Sequence, residues 1–70
     1  MDNVFARRLK EVRLERGLTM EEVSERTGHV ISKQSLCGYE KGYRLPRTQN
    51  IRLLAKALGV PVHYFFQDQR

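Results

Sequence analysis

The run from Ser32 to Gly42, SKQSLCGYEKG, opens on three polar side chains with no acid among them: Lys33, Gln34 and Ser35. An ammonium, a carboxamide and a hydroxyl together offer both hydrogen-bond donors and acceptors. On the exposed first turn of a helix they have the chemistry that reads base edges in duplex DNA. Lysine suits guanine O6 or N7, and glutamine suits adenine N6 and N7. The same residue types also serve as plain solvated surface, so their meaning depends on the element that presents them.

That element is legible in the punctuation of the chain. Thr19, Glu21 and Glu22 ahead of Val23 form the pattern of a helix N-terminus, and Gly28 ends that helix. Ser32 starts a second helix, its hydroxyl placed to accept a backbone N–H that the first turn leaves unpaired, and Gly42 lies just past the last periodic residue. Two short helices joined by a tight glycine-containing turn are the parts of a helix-turn-helix. The second is predicted over about Lys33 to Lys41, with Leu36 and Tyr39 facing inward and Cys37 beside them.

The flanking chain supplies a body for this pair. Phe5, Leu9 and Val12 fall at i, i+4 and i+7, which predicts a first helix from Asp2 to about Arg16, capped by Asp2 or Asn3 and stopped by Gly17. Arg7, Arg8, Lys10, Glu11 and Glu15 fill its outer face. Arg13 lies next to the apolar stripe, either as one more surface charge or as the partner of Glu40, an isolated acid in a basic stretch. Helix two is predicted over roughly Thr19 to Thr27, burying Val23 and Thr27, with Leu18 as a staple-like contact before it. Ser24 is small enough for two crossing helices to come close. Between helices two and three, Val30 or Ile31 is expected to plug the core, because a fully exposed pair would gain nothing.

After Gly42 comes a basic, turn-rich connection, and Pro46 fixes the entry to a fourth helix. Its Ile51, Leu54, Ala55 and Leu58 keep the helical period, and Gly59 is placed as its stop. Pro61 then permits one more short helix, Val62 to about Phe66, before a tail from Gln67 to Arg70 that is expected to fray. With no alternating strand pattern and no repeat, the chain reads as all-α, a compact bundle of five short helices forming one domain over residues 1–66.

Composition narrows the function. The chain has 70 residues and a net charge of +5. Residues 1–28 balance six basic against six acidic side chains, whereas residues 29–70 hold seven basic and two acidic. A segregated basic surface is the footprint of a polyanion binder. Domains of this size bury only about 60% of the surface of the unfolded chain, which leaves room for one site. A single cysteine excludes an internal disulfide framework, and no Cys and His cluster has the spacing of a structural zinc site. With no apolar run near the roughly 20 residues of a membrane span and no signal-peptide core, a soluble protein of the reducing cytoplasm is expected. His29 and His63 lack a neighbouring acid at catalytic spacing and Cys37 has no evident base, so neither an enzyme nor a cofactor is expected. For the lone Cys37 an inert, half-buried place is favoured over a redox role.

The sequence resembles the phage-repressor and Cro-like helix-turn-helix domains, the xenobiotic-response-element family of bacterial regulators. The resemblance runs from about residue 3 to residue 66 and rests on RLKEVRLERGLTMEEVSERTG, then SKQSLCGYEKG, then PRTQNIRLLAKALGV with its short aromatic ending. It implies a lambda-repressor-like fold whose helix from about Lys33 recognises double-stranded DNA. Lys33, Gln34 and Ser35 match base-contacting positions. Met20, Ser32, Lys41, Tyr43, Arg44 and Arg47 are the expected phosphate contacts, with Arg52 a further candidate, and Arg13 and Glu40 match an internal ion pair. Such domains usually act as homodimers on inverted repeats, and Tyr64, Phe65 or Phe66 could supply the dimer patch, although core is favoured for Phe65.

Three departures stand out. The turn between Gly28 and Glu40 is two residues longer than the commonest form, Ser24 stands where alanine is usual, and Gly38 replaces a second base-contacting side chain. The alternative reading is a protein-interaction or antitoxin module built on the same domain. A further one is the N-terminal DNA-binding part of a longer regulator.

Overall fold

The computed structural model describes residues 3–67. Four α-helices, α1 (Val4–Glu15), α2 (Met20–Arg26), α3 (Lys33–Lys41) and α4 (Thr48–Leu58), are followed by a 3-10 turn at Val62–Phe66. The described residues hold no strand. The fifth helix expected from the sequence is therefore this 3-10 turn. Pro61 sets its start and the chain is extended again at Gln67, a span too short for an α-helix to develop. The expected fraying at 68–70 and the cap at Asp2 lie outside the described residues.

The helix starts follow from their side chains. Asn3 caps α1, its Oδ1 accepting the Ala6 N–H at 2.7 Å. Thr19 and Glu22 cap α2 reciprocally: the Thr19 hydroxyl accepts the Glu22 N–H at 3.1 Å, and the Glu22 carboxylate accepts the Thr19 N–H at 2.8 Å. Thr19 and Thr27 thus flank α2 as its caps rather than lying within it. Ser32 caps α3 by accepting the Ser35 N–H at 3.1 Å.

One core joins every element. Phe5, Leu9 and Val12 of α1 meet Val23, Ile31, Leu36, Tyr39, Leu54, Ala55, Leu58 and Phe65. Helix α1 packs on α3 and on the 3-10 turn, while α2 packs on α3 and α4. Phe5 sits edge-on to Phe65, with ring centroids 5.5 Å apart. Between α2 and α3 it is Ile31 that enters the core, at 1% exposure, while Val30 stays out at 69%. Arg8 departs from the outer-face position expected of it. Its guanidinium lies 4.5 Å from the Tyr64 ring centroid, Nε donates to the Tyr64 carbonyl at 3.2 Å and Nη1 pairs with Glu11 at 2.7 Å, so the side chain is covered. Among the described residues no helix is long and apolar enough to cross a membrane.

Candidate nucleic-acid interface

Helix α3 divides sharply into two faces. Leu36 and Tyr39 are buried, whereas Ser32, Lys33, Gln34 and Lys41 are exposed, with Ser35, Cys37 and Gly38 half-exposed between them. Residues four apart stack on one side of a helix. The outer face of α3 therefore carries the row Lys33, Cys37, Lys41 beside the row Gln34, Gly38. Ser32 and Ser35 are joined at the leading end, the Ser32 hydroxyl donating to Ser35 Oγ at 3.1 Å.

The acid of α3 is turned away from that face. Glu40 accepts from Arg13 through two bonds, Nε to Oε2 at 2.7 Å and Nη2 to Oε1 at 3.1 Å, with its side chain only 3% exposed. Arg13 Nη1 also donates to the Leu18 carbonyl at 2.8 Å, tying the α1–α2 connection to the same group. The pair joins α1 to the far end of α3 and removes a negative charge from the surface that would meet a polyanion. The leading turn contributes no acid either.

The turn between α2 and α3 is closed by backbone and hydroxyl bonds. Gly28 takes a left-handed conformation at φ +69° and His29 a second at φ +64°. The His29 N–H donates to the Ser24 carbonyl at 2.9 Å, the bond pattern that ends a helix with a left-handed residue. Two buried hydroxyls then hold the chain. Ser24 Oγ donates to the Ile31 carbonyl at 2.7 Å, and Thr27 Oγ1 donates to the Ser24 carbonyl at 2.7 Å while accepting the Ile31 N–H at 3.3 Å. Ile31 is thereby fixed in the core and Ser32 is placed to begin α3. The sequence reading gave Ser24 only a steric role.

Beyond α3 the chain doubles back. Gly42, at φ +79°, lets the N–H groups of Tyr43 and Arg44 both donate to the Gly38 carbonyl, at 2.9 and 3.3 Å. Tyr43 is 80% exposed, and Arg44 and Arg47 are exposed as well. Arg47 occupies the cap position of α4 without a side-chain cap bond, and no acid stands in the first turn of that helix. At α2 the amides of Thr19 and Glu22 are taken up by the capping box, and Met20 is half-buried against the core. Glu21 and Glu22 in the same turn make that helix start a weaker anion site than the start of α4.

The aromatic end is split. Phe65 is fully buried and is withdrawn as a surface for a second copy, because it fills the core beside Phe5. Phe66 remains 52% exposed, with Val62 exposed and Tyr64 half-buried beside it.

The helix-turn-helix family matches residues 9–65, from the middle of α1 to Phe65. Over 65 residues the chain is 34% identical to the cryptic phage CTXphi transcriptional repressor RstR of Vibrio cholerae, covering 93% of this chain and 57% of that protein. The chain thus spans just over half the length of that relative. No solved structure shows significant similarity. With an acid-free helix end carried on a helical body and the family match running across it, the chain belongs to the helix-turn-helix family, of the phage-repressor and Cro-like kind.

Proposed function

We propose that the chain binds double-stranded DNA sequence-specifically, as the reading domain of a repressor, with α3 in the major groove and its N-terminal end leading. It acts as a binding domain rather than an enzyme, in the cytoplasm where its operator lies. The observation that carries this reading is the leading turn of α3: Lys33 and Gln34 are exposed there, and Glu40 is held inward by Arg13. The major groove admits one α-helix, and each base pair shows it a distinct set of donors and acceptors. Lys33 reads guanine, Gln34 reads adenine through two bonds, and Ser35 uses its remaining hydroxyl proton at a base or phosphate.

The backbone contacts surround this point. Lys41, Tyr43 and Arg47 take phosphates, with the uncapped start of α4 adding its dipole, and the Ser32 turn and the Met20 amide take others. Such contacts position the helix without specifying sequence. One domain of this size makes few base contacts, so two copies bind half-sites about 34 Å apart, one helical turn. The exposed Phe66 and half-buried Tyr64 are the aromatic residues available to join them.

Selection of bound duplexes from a random pool tests the reading. The expected product is a short inverted repeat with half-sites about one helical turn apart. A pool that returns no common motif, or a chain with no attraction for duplex at low salt, would overturn it in favour of a protein-interaction module.

A further inference from the structure

Glycine in a helix interior weakens the helix and calls for a packing reason. At Gly38 the neighbouring side chain is that of Arg44, in ordinary contact with the place a Cβ would take. A Cβ built on Gly38 would lie 3.4 Å from Arg44 Cδ, 3.5 Å from Cγ and 3.8 Å from Nε. The arginine stem thus runs across the spot from which a side chain at position 38 would project. That spot is one turn along the outer face of α3 from Gln34. Arg44 is held there by its own N–H and that of Tyr43, both donating to the Gly38 carbonyl, and it remains exposed.

We propose that Arg44 is a sequence-reading residue, which brings a guanidinium from the following loop onto the face of α3 where Gly38 has nothing to offer. Its target is a guanine next to the base read by Gln34. Arginine presents a rigid fork of N–H donors that matches guanine O6 and N7, the commonest specific contact in the major groove. The two backbone bonds that fold the loop back limit the freedom lost on binding. A residue serving only phosphates would not need its stem laid over the reading face. The role rests on the placing of α3 in the groove proposed above, and it replaces the backbone contact that the sequence resemblance implies for Arg44.

The test repeats the random-pool selection with Arg44→Ala, Arg44→Lys and Gly38→Gln, followed by salt titrations on the wild-type motif. Wild type should select guanine at a fixed place in the half-site, beside the position altered by Gln34→Ala. Arg44→Ala should lose that preference about tenfold or more and keep the rest of the motif. Arg44→Lys keeps the charge and the salt slope but should weaken the guanine preference without abolishing it, because an ammonium reaches O6 or N7 without the rigid fork of the guanidinium. Gly38→Gln, which takes the space of the stem, should lose it too and add nothing at that position in an Arg44→Ala background. Should Gly38→Gln fail to fold, the two Arg44 variants decide alone. If Arg44→Ala keeps the full motif while binding every sequence more weakly, with a salt slope lower by about one, Arg44 is a phosphate contact and the proposal falls while the major-groove reading stands. A wild-type selection without any motif would end both.

Discussion

Arg13 of α1 and Glu40 of α3, 27 residues apart in the chain, meet through two hydrogen bonds of 2.7 and 3.1 Å in a place almost closed to solvent. The bond does two things at once. It ties α1 to the far end of α3, and it withdraws the acid of α3 from the exposed face of that helix.

Breaking the pair from one side leaves a charge stranded in the interior. Glu40→Ala is expected to cost about 3 kcal/mol, whereas the double change Arg13→Met, Glu40→Leu should cost less, because no unpaired charge remains. Urea unfolding of the three proteins measures this. Equal losses in the single and double variants would mean that packing rather than charge sets the effect.

The turn ahead of α3 depends on a hydroxyl. Ser24→Ala leaves the Ile31 carbonyl without its 2.7 Å donor in a buried place, which should cost about 1 to 3 kcal/mol. Faster hydrogen exchange should appear at Ile31 and in the first turn of α3 before it appears in α1. A variant as stable as the parent, with unchanged exchange, would show that Thr27 holds the turn alone.

The start of α2 carries a pH dependence of known sign. The Thr19 backbone N–H, and after it the Thr19 hydroxyl, hold the Glu22 carboxyl below its ordinary value, with a smaller contribution from Arg26. A carboxyl lowered in the folded state stabilises it above the unfolded-state value and loses that contribution as pH falls through the folded-state value. The urea midpoints of the parent and Glu22→Gln should therefore differ at about pH 7 and converge as the pH falls below the ordinary glutamate range. A gap that stays constant across this range would show that the ionised carboxylate contributes nothing.

How far the sequence could be read depended on how local each cause was. Caps at Asn3, Thr19 and Ser32, and glycine stops at Gly28, Gly42 and Gly59, act within a turn of themselves, so the four α-helices were legible. The 3-10 form of Val62–Phe66 was not, because a five-residue aromatic segment carries no period that separates it from one α-turn. Arg8 looked like a surface charge because its cover, Tyr64, comes 56 residues later. At the site, the exposure of Lys33 and Gln34 follows from the burial of Leu36 and Tyr39 on the same helix. The fit of Arg44 over Gly38 could not be read that way, since it depends on how the chain turns after Gly42.

The central claim is that the leading end of α3 reads bases, and its most direct measurement is the ratio of affinities for the selected duplex and a scrambled duplex of the same length, for wild type, Lys33→Ala and Gln34→Ala at fixed salt. The expected ratio falls about tenfold for each variant, and Gln34→Ala, which removes no charge, leaves binding to the scrambled duplex unchanged. A ratio equal to that of wild type in both variants would contradict the account and move sequence recognition away from α3.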